Sequence, residues 1–215
     1  MKIDVVRRVL EANDAVAQAN RRRLGDAGVV ALNITSAPGS GKTTLLERTL
    51  PALAGELPGA VIVGDLQTTR DAERLSALDV PVVQINTEGG CHLSAAQVAE
   101  GLDHLALDGL ALLFIENIGN MVCPAGFDLG EHARVAMLSV PEGDDKVAKY
   151  PTLFQPADVI LLNKVDLAEL LGFDRGRVRD DLSRINTRAP LFELSTRTGQ
   201  GLAPWLAWLR TLHTA

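Results

Sequence analysis

The segment that decides the fold is Ser36-Ala37-Pro38-Gly39-Ser40-Gly41-Lys42-Thr43-Thr44. It lies between an apolar run at 29–35, which predicts a β-strand, and a run at 43–55, which predicts an α-helix. A glycine-rich turn in this context is typical of a phosphate-binding loop, because backbone N–H groups and the positive end of the helix dipole surround a phosphate. Lys42 is predicted to reach the β- and γ-phosphates, and the Thr43 hydroxyl to bind Mg²⁺.

The loop departs from the general pattern G-x-x-x-x-G-K-[ST] at one position, where Ser36 stands in place of glycine. The more demanding end of the pattern, from Gly39 to Thr43, is intact. An ordinary Gly/Ser turn before a helix is the alternative, and the apolar strand in front of the loop argues against it. The predicted nucleotide-binding residues of this loop are Pro38, Gly39, Ser40, Gly41, Lys42, Thr43 and Thr44.

The rest of the chain alternates apolar runs with helical patterns, which predicts an α/β fold, a P-loop NTPase with a doubly wound, mostly parallel sheet and helices on both faces of a single domain. The predicted strands are 29–35, 60–64, 80–85, 110–116, 133–140, 158–162 and 190–194. The predicted helices are 43–55, 69–77, 94–107, 174–186 and 201–213, together with an amphipathic helix at 4–24. We expect residues 1–28 to form an N-terminal helical segment and 29–215 the nucleotide-binding domain. Three arginines, 21–23, end the first helix and are expected to be solvated.

Composition limits the classes of function. The 215 residues are 47% hydrophobic and 22% charged, as is ordinary for a globular protein. A formal net charge of −6 argues against a broad nucleic-acid surface, so no nucleic-acid partner is expected. No apolar run has the roughly 20 residues that a membrane span needs, and residues 1–8 lack the apolar core of a signal peptide. We therefore expect a cytoplasmic protein that has no membrane partner.

Polar residues follow the predicted strands at the edge where ligands bind in a parallel sheet. Asp65 stands at the end of the second strand and Glu116 at the end of the fourth. Each is a candidate to coordinate Mg²⁺ with Thr43 or to position an attacking water, so the catalytic candidates are Lys42, Asp65 and Glu116. Turn or capping chemistry is the alternative for both carboxylates. Gly119 completes a Glu-x-x-Gly turn, which predicts that residues 116–131 follow the nucleotide state.

The sixth strand leads into Asn163-Lys164-Val165-Asp166. The carboxylate of Asp166 can accept hydrogen bonds from N1–H and the exocyclic amine of guanine, a donor pair that adenine lacks, which favours GTP over ATP. Ser195 and Thr196 follow the last strand and predict a second loop that contacts the base. A strand-ending Asn163 and a capping Asp166 are the alternative.

Two cysteines and one histidine also follow strands. Cys91 and His92 come after the third strand and Cys123 after the fourth, so all three are expected at the edge that binds the nucleotide. Two thiolates and an imidazole suit Zn²⁺ or Ni²⁺, and three ligands leave a position open or invite a second subunit. Two buried apolar cysteines and a helix-capping histidine are the alternative. The other three histidines, at 104 within a predicted helix, 132 and 213, are interpreted as structural or solvated.

These motifs together resemble one family, the hydrogenase nickel-incorporation GTPases (HypB). The segments that carry the resemblance are Asn13-Asp14, 36–46, 64–68, 90–93, 115–125, 127–131, 145–146, 149–151 and 163–166. Ser36 is also the family's form of the loop. The resemblance implies a slow GTPase that forms a homodimer with GTP and helps deliver nickel to the large-subunit precursor of [NiFe]-hydrogenase, together with a nickel metallochaperone partner.

The resemblance further implies that Cys91, His92 and Cys123 bind Ni²⁺ or Zn²⁺ at the dimer interface. Some family members carry a Cys-rich or His-rich N-terminal extension. This sequence begins Met1-Lys2-Ile3-Asp4, so we expect metal handling to depend on the one Cys/His site.

Three other functions remain open from the sequence. The first is a urease-type nickel accessory GTPase, whose usual metal motif is Cys-Pro-His, whereas Cys91 and His92 are adjacent here. The second is a metal carrier that uses GTP only as an assembly switch. The third is a small-molecule P-loop kinase, against which the Asn163–Asp166 motif argues.

Overall fold

The computed structural model describes residues 5–65, 70–87 and 89–213. Seven strands form one sheet in the order β3-β2-β4-β1-β5-β6-β7, and every neighbouring pair is parallel. The strands are β1 Val30–Ser36, β2 Gly59–Asp65, β3 Val82–Asn86, β4 Leu112–Glu116, β5 Ala133–Ser139, β6 Val159–Asn163 and β7 Leu191–Glu193. The strand that feeds the phosphate-binding loop, β1, therefore lies in the middle of the sheet.

Helices cover both faces of the sheet. They are α1 Val5–Asp26, α2 Lys42–Leu53, α3 Arg70–Ser76, α4 Ala95–Asp103, α5 Lys146–Lys149, α6 Pro151–Phe154, α7 Arg175–Ile185 and α8 Leu202–His213. Short 3-10 turns lie at Cys123–Gly126, Val140–Glu142 and Val165–Leu167. Alternate residues of a strand point to opposite faces, so Leu32 and Ile34 pack with α2 and α8, whereas Ala31 packs with α1 and α4.

The structure confirms the predicted doubly wound α/β fold and places each strand within two residues of its predicted bounds. The continuous apolar runs made this possible, because strands buried on both faces carry apolar residues at every position. The predicted positions 1–4 and 66–69 lie outside the described residues.

Three expectations about helices are corrected. Helix α4 ends at Asp103 rather than 107, because the backbone turns at His104, which caps the helix instead of lying within it. The four-residue helices α5 and α6 were not predicted, since four residues are too few to show a helical period. Two of the three arginines at the end of α1 are not simply solvated: Arg21 bonds to Asp128 and the carbonyl of Glu131, and Arg23 to the carbonyl of Leu102.

Within the described part of the chain, no helix has the length and apolar character needed to cross a membrane.

Candidate functional site

The phosphate-binding loop joins β1, which ends at Ser36, to α2, which begins at Lys42. The Lys42 ammonium donates to Ser36 Oγ at 3.1 Å, and the Ser40 hydroxyl also donates to that oxygen. Burial lowers the pKa of Lys42, while the nearby Glu116 carboxylate opposes the shift. The sequence identified Ser36 only as a departure from a pattern. In the structure its hydroxyl accepts a hydrogen bond from the lysine that is predicted to bind phosphate.

Glu116 meets the loop at the end of β4. Thr43 Oγ1 donates to Glu116 Oε1 at 2.8 Å, and the carboxylate is 3% exposed. Its second oxygen is buried and has no hydrogen-bond partner in the described structure. Desolvation raises the pKa of Glu116 to about 7. A buried carboxylate oxygen without a partner, beside a threonine hydroxyl, is suited to a hard cation such as Mg²⁺.

The third Mg²⁺ candidate, Asp65, ends β2 and is half-buried. Its backbone carbonyl accepts from the N–H of Thr87, and its negative charge acts on the Lys42 ammonium. The structure thus joins Lys42 to Ser36 and Thr43 to Glu116 by hydrogen bonds. Asp65 acts on Lys42 through its charge.

The turn after Glu116 lies directly against the phosphate-binding loop. A Cβ atom added at Gly119 would lie 2.7 Å from Pro38 Cα and 2.8 Å from Pro38 N, so no larger residue fits there without movement of one backbone. A cavity of about 310 Å³ opens beside this contact, lined by Pro38, Gly119, Val122, Lys146 and Tyr150 among others. The segment that follows Glu116 is therefore in close backbone contact with the phosphate-binding loop.

The predicted guanine motif packs against the same loop. Asn163 Nδ2 donates to the Ser40 carbonyl at 2.8 Å, and its Oδ1 accepts from the Thr196 N–H at 3.0 Å. The Lys164 ammonium donates to the Gly39 carbonyl at 2.6 Å. Asp166 is exposed and has no hydrogen-bond or ion-pair partner among the residues that the structure describes. Asn163 and Lys164 therefore hold the loop, and Asp166 keeps its carboxylate available.

Ser195 and Thr44 are engaged within the protein. Ser195 is buried and its hydroxyl accepts from the Thr198 N–H at 3.2 Å. The Thr44 hydroxyl accepts from Arg74 at 3.0 Å, and Arg74 also pairs with Glu47 at 2.6 Å. Arg74 was not predicted from the sequence, since an exposed arginine in a short helix belongs to no local motif.

The three candidate metal ligands lie in two loops, which we name the Cys91 loop (89–94) and the Cys123 loop (117–132). Cys91 is exposed, Cys123 is half-buried, and neither is in a disulfide. The thiol of Cys91 lies 3.4 Å from His92 Nδ1, and its interaction with the Cys123 thiol raises the pKa of Cys91. Burial lowers the pKa of His92, whose ring centroid lies 4.0 Å from that of Phe127.

This geometry argues against the alternative of two buried cysteines and a capping histidine, because Cys91 is exposed and Ser94, not His92, caps α4. The two loops are also held together. Asn120 Nδ2 donates to the Cys91 carbonyl at 3.3 Å, and Asn117 Oδ1 accepts from the Leu93 N–H at 3.2 Å. In the described part of this single chain, however, no three His, Cys, Asp or Glu side chains are arranged to hold a metal ion.

Two other histidines have structural roles. Nδ1 of His132 accepts from the Ala31 N–H at 3.0 Å, and His104 caps α4. The side chain of His213 lies outside the described residues.

The central strand, the loop and the following helix define the class: a P-loop NTPase built on a seven-stranded parallel sheet. A family model described as CobW/HypB/UreG, nucleotide-binding domain, matches residues 30–193. The hydrogenase maturation factor HypB of Escherichia coli K12 is 47% identical over 207 residues, which is 96% of this chain and 71% of that protein.

Two solved structures are also similar. HypB from Helicobacter pylori, in complex with nickel, has a TM-score of 0.91 at 39% identity and covers 94% of this chain and 95% of that one. The hydrogenase maturation factor HypB from Archaeoglobus fulgidus has a TM-score of 0.89 at 41% identity, covering 95% and 100%. The chain belongs to the HypB family of the CobW/HypB/UreG group.

Proposed function

We propose that this protein is a GTP-hydrolysing metallochaperone that binds nickel or zinc and assists nickel insertion into the large-subunit precursor of a [NiFe]-hydrogenase. The observation that carries the proposal is the position of the Cys123 loop. It begins directly after Glu116, which bonds to Thr43, and Gly119 packs on Pro38. The same loop contains Cys123 and, through Asn120, holds the Cys91 carbonyl. One segment therefore contacts both the nucleotide loop and the candidate metal ligands.

The nucleotide half of the mechanism follows from groups already in place. When GTP binds, the Lys42 ammonium exchanges its hydrogen bond with Ser36 Oγ for one with the β- and γ-phosphates. Thr43, Glu116 and Asp65 would hold Mg²⁺, which neutralises charge that develops on the phosphates. Asp65 or Glu116 positions the attacking water. The free carboxylate of Asp166 selects guanine, with Ser195 and Thr196 forming the second loop around the base.

The metal half requires a second copy of the chain. Cys91, His92 and Cys123 supply soft ligands, and one chain alone does not present a closed set. Large exposed apolar side chains occur next to Cys123 in the sequence, at Val122, and a few residues after Asp166, at Leu170 and Leu171. Apolar side chains at these positions favour contact with another protein surface. We therefore propose a homodimer that forms with GTP and completes the metal site between its subunits.

The cargo and target are inferred from similar proteins. The Helicobacter pylori structure is a complex with nickel, and the Escherichia coli relative is named a hydrogenase maturation factor. A hydrogenase precursor and a partner that supplies nickel are the corresponding partners here. In this scheme hydrolysis relaxes the Cys123 loop and changes how the Cys/His ligands are shared, which couples the nucleotide to metal transfer.

Metal titration against nucleotide state tests the proposal. The affinities for Ni²⁺ and Zn²⁺ are measured with GDP and with a non-hydrolysable GTP analogue, and the oligomeric state is followed by light scattering. We expect affinities that differ by about tenfold between the nucleotides, as allosteric coupling of about 1–3 kcal/mol implies. Cys91→Ala and His92→Ala are expected to remove the difference, whereas His104→Ala, at an exposed helix cap, leaves it intact. Equal affinities in both nucleotide states would contradict the proposal.

A second experiment separates hydrolysis from switching. Wild-type protein that is locked with a non-hydrolysable GTP analogue is given nickel and a hydrogenase precursor. Failure of transfer supports the GTP-hydrolysing mechanism. Complete transfer would instead favour a carrier that uses GTP only as an assembly switch.

A further inference from the structure

Helix α1 lies across the two loops that carry the candidate metal ligands. It packs on α4, which begins at Ala95 directly after the Cys91 loop. It also reaches the last residues of the Cys123 loop, where Asp128 and Leu129 precede β5. The helix is thus adjacent to both loops and makes no hydrogen bond to the phosphate-binding loop among those that the structure describes.

The first link between the loops is Asn13. Its Nδ2 donates to the Asp128 carbonyl at 2.7 Å, and its Oδ1 accepts from the Ala95 N–H at 2.9 Å. The Ala95 N–H belongs to the first turn of α4 and has no partner within that helix, so the amide satisfies a group that would otherwise need a cap or water. One side chain therefore joins the end of the Cys123 loop to the first residue of α4, which directly follows the Cys91 loop.

The second link is Asn20, about two turns further along α1. Its Nδ2 donates to the Ala95 carbonyl at 2.8 Å and to the Leu129 carbonyl at 3.0 Å. Asn20 is 3% exposed, so both bonds are shielded from water, and removal of the amide takes this donor away from the Leu129 carbonyl. Asn13 and Asn20 consequently connect the Cys123 loop at two points to Ala95, the residue that directly follows the Cys91 loop.

Close contact keeps the helix in this position. A Cβ atom at Gly130 would lie 2.6 Å from the Ala17 carbonyl oxygen and 2.6 Å from Asn20 Cβ. Arg21 adds a charged contact, since its guanidinium donates to Asp128 Oδ1 at 2.7 Å and to the Glu131 carbonyl. The Cys123 loop is therefore fixed to α1 at its C-terminal end, whereas Glu116 and Gly119 fix its N-terminal end to the nucleotide loop.

We propose that Asn13 and Asn20 are positioning residues for the metal site, which set the spacing of Cys91 and His92 from Cys123 through the two loops. The inference depends on the proposed metal-binding function. It adds that helix α1 holds the metal-binding loops in a position that does not change with the nucleotide. Groups behind metal ligands commonly tune affinity, and their loss weakens binding by about 10–100-fold. GTP shifts one end of the Cys123 loop, and α1 holds the other.

The test uses the full chain with Ni²⁺ as nickel sulfate, in wild type, Asn13→Ala and Asn20→Ala. We expect each substitution to weaken Ni²⁺ binding by about tenfold and to reduce the thiolate-to-nickel charge-transfer absorption. GDP affinity is expected to stay within about twofold of wild type, because neither residue contacts the nucleotide loop. Gln18→Ala, on the exposed side of α1, is the matched control and is expected to change neither affinity.

Double variants distinguish a positioning role from a general loss of stability. In a Cys123→Ala background, Asn13→Ala is expected to have no further effect on the residual Ni²⁺ affinity, since the spacing it controls no longer matters. If Asn13→Ala and Asn20→Ala bind Ni²⁺ within twofold of wild type, the positioning role is wrong and the metallochaperone proposal stands. If nickel and GDP affinities fall by the same factor, the amides act on the whole fold and the role is also wrong. If wild type and Cys91→Ala bind Ni²⁺ equally, the proposed metal site itself fails.

Discussion

The nucleotide end and the Cys/His end of this molecule lie along the same edge of one sheet but differ in how complete they are. At the nucleotide end, Lys42 bonds to Ser36, Thr43 to Glu116, and Asn163 to Ser40. At the Cys/His end, Cys91 is exposed and the two loops are joined mainly through asparagine side chains. The groups at the nucleotide end are joined within one chain, whereas the described residues of one chain present no closed set of metal ligands. Four predictions test this difference.

The largest expected effect is on hydrolysis. Lys42→Ala removes the only cation that the loop itself places near the phosphates, so we expect GTP hydrolysis to fall by about 10²–10³-fold. Because the Cys/His ligands do not contact Lys42, the Ni²⁺ affinity of the nucleotide-free protein should stay within about twofold. Phosphate release and metal titration measure the two quantities. Arg188→Ala, at an exposed position, is the charge-matched control. A parallel loss of Ni²⁺ affinity would show that metal binding depends on Lys42 even without nucleotide.

The second effect is a pH dependence of stability. Burial raises the pKa of Glu116 to about 7, above the ordinary 4.5 expected in the unfolded chain. The unfolded state therefore releases the proton first, and stability falls as the pH rises from about 4.5 through about 7. A shift of this size corresponds to roughly 3 kcal/mol.

Glu116→Gln should reduce this fall, so its stability relative to wild type should be larger at pH 8 than at pH 4.5. Urea unfolding in EDTA without nucleotide measures the difference. Glu169→Gln, at an exposed site, should follow the wild-type curve. If the free energy of unfolding has the same pH dependence in Glu116→Gln and wild type, burial does not raise the pKa of this carboxyl group.

The third effect concerns base selection. Asp166→Asn replaces a free carboxylate by an amide, so two charged hydrogen bonds to guanine are lost and GTP affinity should fall by about 10–100-fold. The amide can donate to the 2-oxo group of xanthine, so binding of xanthosine triphosphate should increase. Competition with fluorescent nucleotides gives both values. Asp180→Asn, on the surface of α7, is the control. Unchanged preference for GTP would exclude Asp166 as the base-reading residue.

The smallest effect is expected at Arg74, which joins Thr44 to Glu47 on the surface. Exposed ion pairs contribute about 1 kcal/mol or less, so Arg74→Ala should lower stability by no more than that. Removal of the guanidinium also frees the Thr44 hydroxyl, and GDP affinity should change by no more than about threefold. Thermal unfolding and GDP titration check both, with Arg210→Ala, which breaks the surface pair with Glu56, as the control. A larger loss of GDP affinity would place Arg74 in the nucleotide site.

The sequence was sufficient for the fold and for the grouping of polar residues at one edge of the sheet, because both depend on local patterns. Continuous apolar runs marked the strands, and the residues that follow them, such as Glu116 and Asn163, necessarily meet at one edge. The contacts of Ser36 were not predicted, since the generic pattern describes that position only as glycine.

The connections at the Cys/His end were beyond sequence reasoning for a different reason. Asn13 and Asn20 lie far along the chain from Ala95, Asp128 and Leu129, and an asparagine in a helix carries no signal of what it will contact. The same holds for Arg21, which was expected in water and instead bonds to Asp128. Long-range polar contacts depend on tertiary packing, which the local periodicity of hydrophobic residues does not reveal.

The central position of β1 has a consequence for how the protein is made. Val30 pairs with Leu112, and Leu32 pairs with Ala133, so the strand before the phosphate-binding loop has neither neighbour until much of the chain has been synthesised. Pairing over such distances is slow, because the intervening chain must be ordered first. A nascent chain that ends before Ser139 is expected to bind no GTP, so the nucleotide can stabilise the fold only after β5 has been synthesised.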